Sequence, residues 1–239
     1  MKPKFYITTA IVYASQKPHI GNLYDIIMAD AIARYKRMSG FDVYYLTGSD
    51  DHGKKIEDNA AAAGVTPLQY VDDMVNDVIK PIWESVGSSH DQFIRTSDES
   101  HRRVVQRIFK KLYDQGDIYK GMYTDFYCVP CESFYTPTQS PDKICPDCSR
   151  PLEEMNEPAY FLKLSKYADR LLAHIDKNPD WLVPHSRKNE MVNGFIKPGL
   201  IDLCVSRASV KWGVPVCFDD EQVVYVWIDA LSNYITALV

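Results

Sequence analysis

The chain has 239 residues, a hydrophobic content of 46%, a charged content of 25% and a formal net charge of −5. This length suffices for one large domain or two smaller ones, and the composition is ordinary for a globular protein. The acidic balance argues against a globally basic nucleic-acid binder, although it allows a local basic patch. No apolar run approaches the length that spans a bilayer. We therefore expect a cytoplasmic protein with neither a membrane nor DNA as partner.

A strand, a turn and a helix are predicted at the beginning of the chain. Residues 5–12 are β-branched and aromatic, which is typical of a buried strand. Apolar residues then recur at helical spacing over 23–38. The turn between them holds the tetrapeptide His-Ile-Gly-Asn at 19–22. Ligands of an open parallel sheet bind beside such turns, and the helix N-terminus favours a phosphate there. The pattern predicts a nucleotide site.

Strands and helices continue to alternate through the first half of the chain. A second strand at 41–47 leads into a polar turn at 48–53, and a third short strand is predicted at 92–95. Thr66 is expected to cap a long helix between the second and third strands, with Pro67 at its first position. The alternation predicts an α/β fold with a doubly wound, Rossmann-like parallel sheet.

The pattern changes near residue 117. Residues 118–151 are rich in Tyr, Cys and Pro and show no helical period, which indicates an inserted module. The remaining predictions are strands at 157–164 and 223–228, strand-like runs between 200 and 216, and helices at 166–178, 184–193 and 229–239.

Two CxxC pairs lie in the inserted module. Cys128 and Cys131 form the first pair and Cys145 and Cys148 the second, with thirteen residues between the pairs. This gap is slightly shorter than the usual zinc-ribbon spacing. Four thiolates complete a tetrahedral zinc site without an open position, and such a site is structural. A pair of disulfides would require an oxidising compartment, which nothing else in the sequence indicates.

Two further segments carry chemistry. Asp50 follows the second strand beside the first turn, where its carboxylate would hold a cationic group such as an α-amine; the alternative is a loop with helix-capping acids. Trp227, Ala230 and Tyr234 lie where an aromatic strand end meets a predicted helix. They would line an apolar pocket for a flexible thioether chain, although the residues alone favour ordinary core.

The three motifs resemble known synthetase sequences. His19-Ile20-Gly21-Asn22 resembles the HIGH signature of class I aminoacyl-tRNA synthetases. Residues 48–57 are similar to the T-D-E-H-G-x-K-I segment of methionyl-tRNA synthetases, and residues 225–230 resemble the Y-V-W-x-D-A block of the same family. Other segments agree, so the resemblance covers essentially the whole chain.

The resemblance implies a domain organisation. Residues 1–116 would form the first half of the nucleotide-binding catalytic domain. Residues 117–199 would form a connective-peptide insertion with its four-cysteine zinc knuckle at about 125–151. Residues 200–239 would return to the catalytic domain and stop before its second half.

The resemblance also implies an activity and site residues. The activity is ATP-dependent conversion of L-methionine to methionyl-adenylate, with Mg²⁺ accompanying ATP, followed by transfer to tRNA(Met). His19, Gly21 and Asn22 would bind ATP, and His19, Asn22 and Arg207 would be catalytic. The residues that match methionine-pocket positions are Ile11, Tyr13, Asp50, Trp227, Ala230, Leu231 and Tyr234.

Two departures from the family pattern affect these expectations. Asn22 stands where the signature has its second histidine, and an amide donates a hydrogen bond without carrying positive charge. No K-M-S-K-S-like segment occurs in the sequence. We therefore expect the chain to be the N-terminal portion of a longer enzyme and incomplete for catalysis by itself.

Two alternatives remain open from the sequence. The first is a class I synthetase for another amino acid, which a measured amino-acid preference would distinguish. The second is a non-catalytic zinc-ribbon module that binds RNA or a protein partner. The missing lysine-rich loop favours this second alternative, whereas the nucleotide turn and the pocket block favour an enzyme.

Overall fold

A computed structural model describes residues 2–131, 133–135 and 140–239. Residues 132 and 136–139 of the predicted zinc segment lie outside the described residues. The strands are β1 (Lys4–Thr8), β2 (Val12–Tyr13), β3 (Asp42–Asp50), β4 (Gln92–Arg95), β5 (Ile118–Cys128), β6 (Ser133–Tyr135), β7 (Glu153–Leu162), β8 (Leu203–Cys204), β9 (Ser206–Arg207), β10 (Val214–Val216) and β11 (Asp219–Val224). The α-helices are α1 (Ile20–Met38), α2 (Lys54–Ala63), α3 (Pro67–Asp73), α4 (Lys80–Ser85), α5 (Glu99–Asp114), α6 (Ala168–Lys177), α7 (His185–Met191) and α8 (Asn233–Thr236).

A parallel sheet positions the candidate site. Its central strand is β3, because Leu46 pairs with Thr8 of β1 on one side and with Gln92 of β4 on the other. The short strand β2 continues along the β1 side and pairs with the last two residues of β3. Helix α1 connects the β1 side to β3, and helices α2 to α4 connect β3 to β4. The predicted Rossmann-like parallel sheet is confirmed.

Strand β3 is longer than the sequence pattern predicted. The expected turn at 48–53 begins only after Asp50, because Gly48 and Ser49 pair with β4. A Cβ atom at Gly48 would lie 2.1 Å from the carbonyl oxygen of Ile94, so only glycine permits this close approach. Helix α2, which follows at once, was not predicted. It buries Ile56 and Ala60, which lie four residues apart on one face.

The long helix predicted from Thr66 is confirmed. The Thr66 hydroxyl accepts the N–H of Gln69 at 3.2 Å, and Pro67 occupies the first helical position. Helices α3 and α4 are joined through a π-helical stretch, Met74–Ile79, into one continuous helix. Its fully buried side chains are Val71, Val75, Ile79 and Trp83. They pack with Val12, Ala14, Ile26 and Ile56 into the core beneath the candidate site.

The second half of the described structure is built on antiparallel sheets. Strands β5 and β7 form a ladder of ten residue pairs, within a sheet of order β6-β5-β7-β8. Strands β10, β11 and β9 form a smaller antiparallel sheet. Phe109 of α5, Tyr160 of β7 and Val224 of β11 share one core cluster. Within the part of the chain that is described, no helix has both the length and the apolar character needed to cross a bilayer.

The last predicted strand is displaced in the structure. We expected a strand at 223–228, but β11 ends at Val224. The chain then turns, since the N–H groups of Ile228 and Asp229 both donate to the carbonyl oxygen of Tyr225 at 3.0 Å. The helix expected at 229–239 is reduced to a 3₁₀ turn, Ala230–Ser232, followed by the four residues of α8.

We expect Gly48→Ala to destabilise the chain. The added methyl group would meet the backbone of Ile94, which cannot move without disturbing the β3–β4 pairing. The expected loss in free energy of unfolding is about 1–3 kcal/mol, measured by urea denaturation. Gly194→Ala is the matched control, because nothing lies within 4 Å of a Cβ atom there. A Gly48→Ala chain as stable as the control would contradict this account.

Candidate active site

A cavity of about 350 Å³ lies at the carboxyl ends of β2 and β3. Four parts of the chain line it: the β2 and β3 ends with the turn into α2, residues 207–213, residues 223–229, and the β5 and β7 region. The β5 and β7 region contributes Tyr127, Val129 and Glu153. The cavity therefore occupies the edge of the parallel sheet where α/β proteins bind ligands.

Tyr13 and Asp50 are neighbours in this cavity. The two residues pair in the parallel register of β2 and β3, and both line the cavity. Gly53, which immediately precedes α2, has a φ angle of +125°. A Cβ atom at Gly53 would lie 2.7 Å from the Tyr13 hydroxyl oxygen. Glycine thus permits both the backbone turn and the approach of the tyrosine.

The two adjacent aspartates at the end of β3 have different environments. Asp51 is fully buried, and its carboxylate accepts hydrogen bonds from Arg95 Nε at 2.7 Å and from the hydroxyls of Ser49 and Ser97 at 2.6 Å. Asp50 faces the cavity, and Thr96 Oγ1 lies 3.5 Å from its Oδ1. Asp51 thus stabilises the fold through hydrogen bonds within the protein, and Asp50 is available to a ligand.

The surroundings of Asp50 disfavour the negative charge of its carboxylate. Burial, with the negative charge of Asp229 as the second cause, raises the pKa of Asp50 to about 7. A cationic ligand at this carboxyl group favours its ionised form and would lower the pKa again. The cavity is therefore electrostatically suited to an ammonium group beside Asp50.

A buried network of two histidines and an aspartate forms part of the cavity wall, since His52 and Asp229 both line the cavity. Asp229 accepts from His52 Nδ1 at 2.7 Å through one oxygen and from His101 Nε2 at 3.0 Å through the other. The second ring nitrogen of His101 lies 2.8 Å from the Thr236 hydroxyl. Burial would raise the pKa of Asp229, but His52 and His101 outweigh it and lower the pKa. The network joins the β3 end, α5 and the chain after β11.

Sequence reasoning did not assign His101. It lies on the same helical stripe as Val105 and Phe109, and all three are buried. A histidine on a buried stripe needs a hydrogen-bonding partner. The spacing of His101 with Val105 and Phe109 therefore indicated a buried polar contact at this residue. The partner could not be inferred, because Asp229 is 128 residues away in sequence.

Arg207, predicted to be catalytic, lines the cavity but is only 2% exposed. Its guanidinium carbon lies 4.0 Å from the ring centre of Tyr123 and 4.5 Å from that of Tyr225. Its Nη1 donates to the sulfur of Cys204 at 2.9 Å. The arginine is thus held between two aromatic rings at the cavity wall, which favours a fixed guanidinium position.

The predicted nucleotide turn forms the capped start of α1. His19 is the N-cap, and its Nδ1 accepts the N–H of Gly21 at 3.0 Å. Asn22 Oδ1 accepts the N–H of His19 at 3.0 Å, which completes a capping box. A Cβ atom at Gly21 would lie 2.8 Å from the His19 ring. The N–H groups of His19, Gly21 and Asn22, which were expected to be open to phosphate, are thus already bonded within the turn. His19 Nε2 and the Asn22 NH₂ group remain for a ligand.

The other predicted pocket residues lie outside the cavity lining in this structure. Trp227 and Leu231 are 47% and 50% exposed, and Ala230 is buried. Tyr234 accepts a hydrogen bond from the Tyr6 hydroxyl through its backbone oxygen at 2.6 Å. Ile11 is half-buried just before β2. The cause is the turn after β11, which leaves Tyr225 and Val226 at the cavity and carries the following residues past it.

The four predicted metal ligands form one cluster. The sulfur atoms of Cys128, Cys131, Cys145 and Cys148 all lie within 4.8 Å of one another, and the cysteines are free thiols. The Cys128–Cys148 sulfur distance is 3.5 Å and the Cys131–Cys145 distance is 3.9 Å. Sulfurs around a tetrahedral zinc ion lie about 3.8 Å apart, given Zn–S bonds of about 2.3 Å. The donor set fits a closed zinc site.

The pKa of Asp50 predicts a pH-dependent effect of Asp50→Asn. Between its ordinary value near 4 and about 7, the folded chain keeps a proton that the unfolded chain releases. Stability therefore falls as pH rises through this range. Asp50→Asn removes the buried charge, so its midpoint of thermal unfolding should exceed that of the wild type at pH 8, with a smaller difference at pH 5. The exposed Asp220→Asn controls for the lost charge; a difference that does not change with pH would contradict the raised pKa.

The comparisons with known proteins agree with this geometry. The family model described as "tRNA synthetases class I (M)" matches residues 5–155 and 150–239. A methionine–tRNA ligase of Clostridium tetani is 60% identical over 99% of this chain, and one of Clostridium acetobutylicum is 57% identical over 99%. This chain spans 37% of the length of each of these two relatives.

Solved structures give the same relationship. Mycobacterium tuberculosis methionyl-tRNA synthetase bound by methionyl-adenylate is similar with a TM-score of 0.89 and 39% identity, over 98% of this chain and 47% of that chain. The free-state structure of the M. tuberculosis enzyme gives a TM-score of 0.77 and 36% identity, over 99% of this chain and 45% of that chain. Both the family model and the solved structures thus cover almost the whole sequence. The chain belongs to the class I tRNA synthetase family, in the group that the family model labels M.

Proposed function

We propose that the chain is the methionine-binding and ATP-binding part of a methionine–tRNA ligase. The observation that carries the proposal is the carboxyl group of Asp50 beside Tyr13 in the sheet-edge cavity, in a chain with high identity to such ligases. The whole protein would activate L-methionine with ATP and transfer it to tRNA(Met) in the cytoplasm.

The amino acid would be held through its ammonium group. Asp50 would accept hydrogen bonds from this cation, which favours the ionised carboxylate over the neutral form present near pH 7. Tyr13 would contact the thioether chain from the neighbouring strand. We keep five residues as proposed methionine contacts because of the family resemblance, although they flank β2 and β11 and do not line the cavity in this structure: Ile11, Trp227, Ala230, Leu231 and Tyr234.

ATP, with Mg²⁺, would bind at the start of α1. His19, Gly21 and Asn22 are the proposed contacts, since a helix N-terminus and a histidine both favour phosphate oxygens. Asn22 would donate a neutral hydrogen bond through its NH₂ group. Arg207 would contribute a fixed positive charge from the cavity wall.

The reaction needs positioning more than covalent help from the protein. A carboxylate oxygen of methionine attacks the α-phosphorus of ATP, the bond to the bridging oxygen breaks, and pyrophosphate leaves. The adenylate then passes its methionyl group to the terminal ribose of tRNA, and AMP leaves. Asp50 would hold the ammonium so that the methionine carboxylate points to the phosphate, while His19 and Arg207 would stabilise charge on phosphate oxygens.

The four cysteines would hold one structural zinc ion. We propose that residues 117–199 are a connective-peptide insertion carrying this knuckle, between catalytic segments 1–116 and 200–239. The antiparallel β5–β7 ladder and the cysteine cluster support this division. The alternatives are a class I synthetase for another amino acid and a zinc-ribbon module that only binds RNA or a protein partner.

Metal analysis tests the proposed zinc site. We expect one zinc ion per chain, and Cys145→Ser should lose it with a lowered midpoint of thermal unfolding, because metal binding and folding are coupled. Cys217→Ser is the control, since Cys217 is exposed and outside the cluster. A metal-free wild type with four rapidly reacting thiols, or a disulfide between the two pairs, would refute the zinc site.

Ligand-induced stabilisation tests the amino-acid site. Methionine should raise the midpoint of thermal unfolding more than leucine or isoleucine does. At a concentration one hundred times Kd, a bound ligand adds about 2.7 kcal/mol to the free energy of unfolding. Asp50→Ala should abolish this effect, because the ammonium loses its partner, whereas the exposed Asp220→Ala should keep it. If methionine raised the unfolding midpoint of Asp50→Ala as much as that of the wild type, Asp50 would not be part of the site. If leucine raised the midpoint as much as methionine does, the site would not be selective for methionine.

A further inference from the structure

One wall of the cavity is a loop that has little regular structure of its own. The loop runs from 209 to 213 between β9 and β10, and Ser209, Val210, Trp212 and Gly213 line the cavity. The backbone here belongs to no strand or helix. Its conformation must therefore be fixed by contacts with other elements.

Helix α2 supplies the central contact through Glu57. One oxygen, Oε1, accepts the backbone N–H of Lys211 at 2.5 Å and also that of Trp212. The side chain is only 17% exposed. Lys54 Nζ lies 3.5 Å from the other oxygen of Glu57. Hydrogen bonds to a shielded carboxylate are stronger than bonds between neutral groups.

Three further contacts tie the same loop to the β3 end. The indole N–H of Trp212 donates to the Asp51 carbonyl oxygen at 2.5 Å. The backbone oxygen of Trp212 accepts the N–H of Gly53 at 3.2 Å. The Trp212 and His52 rings meet edge to face with centres 5.4 Å apart. The loop is therefore docked on the short segment that also presents Asp50.

We propose that Glu57 is a positioning residue for the substrate cavity. It holds the 209–213 loop against the β3 end, so that Trp212 and its neighbours form the wall around a ligand that Asp50 binds. The ligand class, an amino acid with a free ammonium, rests on the proposed function. We call the two hydrogen bonds from the loop to Glu57 the latch, and this part of the proposal does not depend on the proposed function.

The proposed role requires an acceptor at residue 57, and the negative charge strengthens the two hydrogen bonds. Glu57→Gln keeps a side-chain oxygen at the same distance from the backbone and removes the charge. Glu57→Met has a side chain of similar length without a strong acceptor. Asp58→Asn is the matched control on the same helix, since Asp58 is exposed and pairs with Lys54 rather than with the loop.

The experiment measures two properties of each 239-residue variant. Amide hydrogen exchange at Lys211 and Trp212 reports the latch, and calorimetric titration with L-methionine reports the cavity. Glu57→Met should speed exchange at both amides and weaken methionine binding about tenfold, as expected from the loss of two hydrogen bonds. Glu57→Gln should lose less methionine affinity than Glu57→Met and keep both amides more protected than in Glu57→Met, because a neutral acceptor remains.

Each other outcome has a defined meaning. Protected loop amides in Glu57→Met would overturn the latch, and a loosened loop with unchanged methionine affinity would overturn its role in the cavity. If wild-type chain binds no methionine, the proposed function fails, while the exchange data still decide the latch. If Glu57→Met does not fold, Glu57→Asp shortens the side chain by one methylene and draws the carboxylate back from the loop amides. It should speed exchange at Lys211 and Trp212 and weaken methionine binding about fivefold, and protected amides with full affinity would overturn the proposal.

Discussion

The candidate site depends on the buried ion pair between Asp51 and Arg95. Asp51 is completely buried at the end of β3, and Arg95 at the end of β4 also pairs with Asp72 of α3 at 2.6 Å. A buried carboxylate is tolerated only when donors surround it. The pair therefore fixes the ends of two parallel strands relative to each other and to the helix that covers them.

The fixed end of β3 determines the surroundings of Asp50, and these surroundings raise its pKa. Ser49, Ser97 and Arg95 satisfy Asp51, whereas Asp50 faces a cavity beside the negative charge of Asp229. Two consecutive aspartates thus have different roles, one in the fold and one at the cavity, because their surroundings differ. The segment from Asp50 to Glu57 also docks the more distant parts of the site: His52 binds Asp229, and Glu57 binds the loop at 209–213. The cavity is assembled around this one stretch of chain.

The sequence predicted the features that local patterns encode. The Thr66 cap, the long helix after it, the parallel sheet and the four clustered cysteines follow from short-range residue patterns, and all are present. The extension of β3 through Gly48 depends on close contact with another strand, so no local pattern revealed it. The same holds for Trp212, whose N–H and indole partners lie 155 and 161 residues away.

The aromatic residues show this limit most clearly. The family resemblance placed Trp227 with Tyr13 among the methionine-pocket residues, whereas Trp212 and Tyr225 line the cavity of this structure and Trp227 is 47% exposed. The position of a tight turn after β11 decides which aromatic ring faces inward. Spacing along a predicted strand could not locate that turn.

The most direct test of the account is a crystal structure of the chain with L-methionine. The account predicts the ammonium nitrogen within about 3 Å of an Asp50 carboxylate oxygen, with the thioether chain in the cavity between Tyr13 and the 209–213 loop. Methionine bound elsewhere at full occupancy, with Asp50 making no contact to it, would contradict the account.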